Sequence, residues 1–189
     1  MSEIKIQKTQ PDVIEFVPVP GTTIAIGKYH ITRRQWAFVM GTSPGKAPEI
    51  SEDSLEDTED CPQTDVSLLD CMEFCNRMSL KEGLLPRYKL EGNTGFIIEA
   101  YEEGDEGFEK AGPDGVPTGY RLPTEEEHTI AAKAGTDFVY AGSNDADEVA
   151  WTYENSGGRI HAVGFKKPNA LGLYDMSGNA WQWTETPWR

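Results

Sequence analysis

The sequence predicts an α+β fold with few helices, short antiparallel strands and much irregular backbone. Three observations carry this. Three segments open with helix-capping signals, short apolar runs face each other across turn residues, and 19 Gly with 12 Pro punctuate the 189-residue chain. That mixture excludes a helical bundle and a disordered tail. The length allows one domain over 1–189, with a core large enough to stand without disulfide or metal staples.

From the N-terminus, residues 13–19 and 23–29 read as two short strands joined across Pro20-Gly21. Thr32 can cap a helix over 33–40, with Trp36, Val39 and Met40 on one face and Gly41 as its stop. Residues 46–61 hold seven acids and one Lys with no apolar face, which predicts a solvated acidic loop. Ser67 and Asp70 form a capping-box pattern. The helix behind them runs to about Leu80, with Leu68, Met72, Cys75 and Met78 on one stripe and Gly83 just past its end.

Residues 87–90 and 94–100 flank Glu91-Gly92-Asn93 as a candidate hairpin. A second acidic segment occupies about 99–116. Thr124 and Glu127 make another capping box, opening a helix that ends at Gly135, with Glu125, Glu126 and Glu127 favourably placed at its N-terminus. Beyond residue 136 only short strand-like pieces and turns are expected.

Seventeen Lys and Arg against 32 Asp and Glu give a net charge of −15. Nucleic-acid binding needs concentrated basic residues, and so does adhesion to an anionic membrane; neither is expected here. No apolar run has the roughly 20 residues of a spanning helix, and the first residues lack the layout of a secretory signal. This predicts cytoplasmic synthesis and leaves assembly into a virion open.

Cys61, Cys71 and Cys75 form no disulfide framework and no CxxC, so buried or reduced thiols are expected. GxSxG, HExxH, GxxxxGK[ST] and GxGxxG are all missing. His30, His128 and His161 are far apart in sequence and read as structural rather than as a shared metal site. The carboxylates crowd into acidic loops, where no pocket perturbs a pKa for acid–base work.

The stretch 168–184 carries the most information. Trp181 and Trp183 share a face by period two. Asp175, Asn179, Gln182 and turn carbonyls gather oxygens of the kind that a hard cation such as Ca²⁺ takes. A plain turn with Asx side chains bonded to their own backbone explains the same residues.

Four blocks together resemble the sulfatase-modifying-factor family, whose best-known member is the formylglycine-generating enzyme. Residues 29–44 (YHITRRQWAFVMGTSP) resemble Y-E-V-T-x-x-Q-W-x-x-V-M-G-x-N-P. Residues 65–75 are similar to the V-S-W-x-D-A-x-x-F-C region. Residues 119–128 (GYRLPTEEEH) resemble G-Y-R-L-P-T-E-A-E-W, and 169–183 (NALGLYDMSGNAWQW) resemble N-x-x-G-L-Y-D-M-S-G-N-V-W-E-W. The resemblance implies a C-type-lectin-like fold. It also implies a structural Ca²⁺ held by Asp175, the carbonyls of Gly178 and Ala180, and Gln182, with Gln182 replacing the usual Glu and so weakening the site. His30 stands where the pattern has Glu, His128 where it has Trp and Cys71 where it has Ala.

The family's copper-binding cysteine pair lies in an extension beyond the W-x-W motif. None of the three cysteines falls at those positions, so no copper is expected. The expected function is therefore a non-catalytic binding or structural module. Its protein partner, or a second copy, would dock near Trp181, Trp183 and Trp188, since aromatics anchor interfaces. Phage receptor-binding proteins use the same fold in this way. Core packing is the competing explanation for the tryptophans, stronger for Trp181 and Trp183 than for Trp188. The family's closing strands pair with its N-terminal strands, so residues 13–29 are expected to offer an edge for another chain. Two alternatives remain: a formylglycine-generating oxidoreductase completed by a further part, and a relative of the non-haem-iron members.

Overall fold

A computed structural model describes residues 13–41, 59–91, 95–97 and 116–186. The two acidic segments fall almost wholly outside these residues, as do Gly92, Asn93 and Trp188.

The first hairpin forms as expected but with short regular strands, β1 (Phe16–Pro18) and β2 (Ala25–Gly27). They pair antiparallel, with Val17 opposite Ile26. Hydrogen bonds continue on either side, from Lys28 to the Glu15 carbonyl and from Val19 to the Ile24 carbonyl. Gly21 takes a positive φ of 80° in the connection, a conformation that glycine adopts at little steric cost.

Helix α1 (Arg33–Met40) has the full capping box, in which Thr32 and Gln35 exchange side-chain and backbone bonds. Its other first-turn amides find backbone partners: Arg33 N–H donates to the Cys61 carbonyl and Arg34 N–H to the Glu59 carbonyl, both at 3.0 Å. The end of the first acidic segment is thus not a solvated loop. It supplies the acceptors that a helix N-terminus lacks, and Cys61 is fully buried.

Helix α2 (Leu68–Lys81) starts at the Ser67–Asp70 capping box. It ends in a Schellman arrangement, with Leu84 N–H on the Ser79 carbonyl and Gly83 N–H on the Leu80 carbonyl. The single expected stripe is in fact two buried faces. Phe74 and Met78 pack with Trp36 and Val39 of α1, and Trp36 stacks on Phe74 at 5.0 Å. Met72 and Cys75 pack with Tyr88.

Strands β3 (Lys89–Glu91) and β4 (Gly95–Ile97) form the second hairpin, with Leu90 opposite Phe96; the strand includes Glu91, expected in the turn. Helix α3 (Glu125–Lys133) carries the Thr124–Glu127 box and stops at Ala134 and Gly135, both at positive φ. One further turn of helix, α4 (Ala146–Val149), was not expected. Asp145 caps it by accepting the Asp147 N–H at 3.0 Å. A third cluster joins β1–β2 to α3 and to the C-terminal stretch through Val19, Ala131, Leu173 and Met176.

Candidate functional site

The 169–182 stretch is held by its own polar side chains. Asn169 accepts from the Leu171 and Leu173 amides and donates to the Ala131 and Ala132 carbonyls, fastening the stretch to the end of α3. Asn179 brackets the His161 backbone with two bonds of 3.0 Å. Asp175 and Asn179 both take positive φ, at 54° and 62°. Gly178, at 80°, lies so close to the Trp151 carbonyl that no Cβ fits.

Asp175 is buried at the centre of this turn. Its Oδ2 accepts the Gly164 N–H at 2.8 Å, while Oδ1 is buried with no hydrogen-bond partner. Burial raises its pKa; the Gly164 amide and His161 work the other way. Gln182 donates from Nε2 to the Asp175 backbone carbonyl at 3.4 Å and offers Oε1 to His128 Nε2 at 3.3 Å. Both ring nitrogens of His30 are buried without a hydrogen bond. Burial, reinforced by nearby His128, lowers the His30 pKa to about 4; the Asp175 carbonyl works the other way.

His30 and Gln182 border a cavity of about 480 Å³. Its walls are largely apolar and aromatic, including Phe16, Ile26, Tyr29 and Tyr174, with His30 and Gln182 among the few polar groups. Trp181 and Trp183 both line it. Trp181 is completely exposed at 104% and Trp183 is 43% exposed. Trp183 is oriented by its Nε1–H on the Val66 carbonyl at 3.1 Å. Core packing therefore fails for Trp181. Both rings line the same cavity, and among the described residues no element covers Trp181.

The 119–128 block is tied down by charge. Arg121 and Glu127 form a two-bond pair, and Glu185 accepts from Arg87 at 3.2 Å and from the Tyr88 hydroxyl at 3.3 Å. That contact returns the chain after Trp183 to the α3 side of the molecule, as does the Glu185 N–H on the Pro123 carbonyl. Cys71 and Cys75 are not in disulfides, and burial pushes both thiols up to about 12.

The sulfatase-modifying factor enzyme 1-like domain matches residues 17–189. The chain belongs to the sulfatase-modifying-factor family.

It is 36% identical over 186 residues to the chaperone protein LppX of Paenibacillus barcinonensis, covering 86% of this chain and 63% of that protein. It is 35% identical over 82 residues to the formylglycine-generating enzyme of Mycobacterium tuberculosis, covering 36% of this chain and 27% of the enzyme. The chain thus spans less than two thirds of the curated relatives it matches. Among solved structures it resembles Treponema denticola variable protein 1, with a TM-score of 0.67, 30% identity, and coverage of 92% of this chain and 69% of that one. It also shares its fold with CarF, at a TM-score of 0.60 and 24% identity, over 92% of this chain and 75% of that one. The fold is thereby the α+β, C-type-lectin-like fold of the family.

The family's calcium is tested by the donor set. Asp175 fits, because a buried carboxylate oxygen without a partner is what a cation would satisfy. The Gly178 carbonyl already accepts the Ala180 N–H at 2.9 Å, and Gln182 turns its amide oxygen to His128 instead. Three departures from the family pattern, His30, His128 and Gln182, meet beside Asp175. Each is visible in the sequence, but their convergence is not. Among the described residues, no three His, Cys, Asp or Glu side chains gather closely enough to hold a metal alone.

Proposed function

We propose that this chain is a non-catalytic binding module whose partner docks at the cavity rim around Trp181 and Trp183. The observation that carries this reading is the fully exposed Trp181 beside an apolar cavity. A large aromatic left in water is stabilised by transfer into an interface, and Trp is prominent among interface anchors. The β1–β2 hairpin supports the same reading. Across the hairpin the Ile24 carbonyl accepts the Val19 N–H, Lys28 N–H donates to the Glu15 carbonyl, and Ile26 stands opposite Val17, so by antiparallel alternation the amides of Ala25 and Gly27 face away from β1. These β2 residues line the cavity, and an outward strand edge is a template for another extended segment.

The partner is a protein, or a second copy of this chain. A relative named as a chaperone is consistent with protein binding. The thiols of Cys71 and Cys75, buried and held protonated, are poor candidates for the thiolates that copper chemistry needs. A structural cation remains part of the proposal only through Asp175.

The test has two arms. Light scattering measures self-association of the wild type and of Trp181→Ala; association lost in the variant supports the rim. A Cys-x-Pro-x-Arg peptide is then incubated with the chain, copper and a thiol. Formylglycine formed by this chain alone would overturn the non-catalytic reading in favour of the oxidoreductase.

A further inference from the structure

Beyond the docking of a protein at the rim, we propose that the cavity is a site for a neutral, planar heteroaromatic small molecule with an N–H donor beside an acceptor on one edge, as in an aromatic lactam. Three features carry this. First, the outer edge of β2 borders the cavity through Ala25 and Gly27. The hairpin bonds of Ile24 and Lys28, with Ile26 opposite Val17, leave the N–H and C=O of Ala25 and Gly27 pointing away from β1. Among the described residues no hydrogen bond reaches these outward groups. The Ala25 carbonyl and the Gly27 N–H thus stand side by side on one edge as an acceptor and a donor. A lactam fits both, donating its N–H to Ala25 and accepting from Gly27 with its carbonyl.

Second, aromatic rings bound the same space. Phe16 stacks on Tyr120 at 5.3 Å and Tyr29 on Tyr174 at 4.9 Å, and all four line the cavity. Trp181 adds a ring that no protein group covers among the described residues. Aromatic walls favour a flat ring through offset and edge-to-face contacts, and the volume of about 480 Å³ lies in the range of small-molecule sites.

Third, the walls offer no free charge. Among the described residues that line the cavity, Arg121 alone is a Lys, Arg, Asp or Glu. Its guanidinium is taken by Glu127 through two hydrogen bonds, with Glu185 at 3.8 Å. A phosphate-bearing or cationic ligand would lose its hydration without gaining a counter-ion, whereas a neutral ring system loses little. This ligand and an extended protein segment compete for the β2 edge, but the association test at Trp181 uses no small molecule, so the two occupants are tested separately.

The experiment titrates isotopically labelled chain with carbostyril, a bicyclic aromatic lactam, and follows the backbone amide resonances. N-methylcarbostyril keeps the ring system and the carbonyl but has no N–H to donate. Carbostyril should shift the Gly27 amide resonance, and the N-methyl compound should bind about ten-fold more weakly or worse, because it leaves the Ala25 carbonyl unpaired. Gly27→Pro removes the outward N–H and no bond to β1, a change that an edge strand tolerates; it should weaken carbostyril by a similar factor. A Gly27 amide that does not move, or N-methylcarbostyril bound as tightly as carbostyril, would sink the proposal, and both readouts use the wild type, so they stand if Gly27→Pro fails to fold. Undiminished binding in a folded Gly27→Pro would overturn it too.

Discussion

Arg121 grips Glu127 through two parallel hydrogen bonds, Nη1 to Oε2 at 2.7 Å and Nη2 to Oε1 at 2.6 Å. The same carboxylate accepts the Thr124 N–H at 2.8 Å and so closes the capping box of α3. The Arg121 bonds and the Thr124 amide hold the Glu127 pKa down to about 2, against the opposing effect of burial. A depressed folded-state pKa stabilises fully above the ordinary value of 4.5 and fades as pH falls from there towards 2. Glu127→Gln should therefore flatten the acid limb of stability in that window, measured by urea melts at stepped pH. Glu127→Ala, which also loses the cap, should cost about 2 kcal/mol more than a surface change. Equal acid limbs in wild type and Glu127→Gln would contradict this.

Gly178 and Gly172 both take left-handed backbone, at φ 80° and 82°. A Cβ at Gly172 meets nothing within 4 Å, whereas one at Gly178 runs into the Trp151 carbonyl. Gly172→Ala should cost only the left-handed penalty, about 1 kcal/mol. Gly178→Ala should cost clearly more, upwards of about 2 kcal/mol, because backbone must move as well. Denaturant midpoints of the two variants decide the ranking.

Asp175 holds a buried, unpartnered Oδ1. If calcium satisfies it, chelator lowers the melting temperature of the wild type by mass action, and Asp175→Ala removes that response. Added Ca²⁺ that leaves the wild-type melting curve unchanged shows the turn to be held by its own hydrogen bonds.

Trp181 contacts water over its whole surface. Trp181→Ala should leave stability within about 0.5 kcal/mol while reducing association at the cavity rim. A large loss of thermal stability in this variant would show that the ring is packed in solution.

Cys75 lies against Met72 and Tyr88, and its thiol is pushed up to about 12. Thiolate is the reactive form, so modification of native chain by a disulfide reagent near neutral pH should be slow at Cys75 and fast after unfolding. Rapid native labelling at this position would contradict its burial.

The local architecture is legible in the residues alone. The caps at Thr32, Ser67 and Thr124 stand where these residues place them, the latter two as the capping boxes their spacing predicts, because a cap joins residues three apart and needs no distant partner. The same holds for the glycine stop of α1 and the end of α2. The four blocks also identified the family, since their turns and helix starts are local too. The rest depends on packing between segments remote in sequence. Composition makes Cys61 the end of a solvated loop, yet the N-terminus of α1 draws its carbonyl in. Period two puts Trp181 and Trp183 on one face, but whether a neighbour covers them depends on elements remote in sequence; Trp181 has none among the described residues. His30, His128 and Gln182 come from three separated blocks. They come near one another because Val19 of the N-terminal hairpin, Ala131 of α3, and Leu173 and Met176 of the C-terminal turn pack into one cluster, a long-range arrangement that no local pattern records.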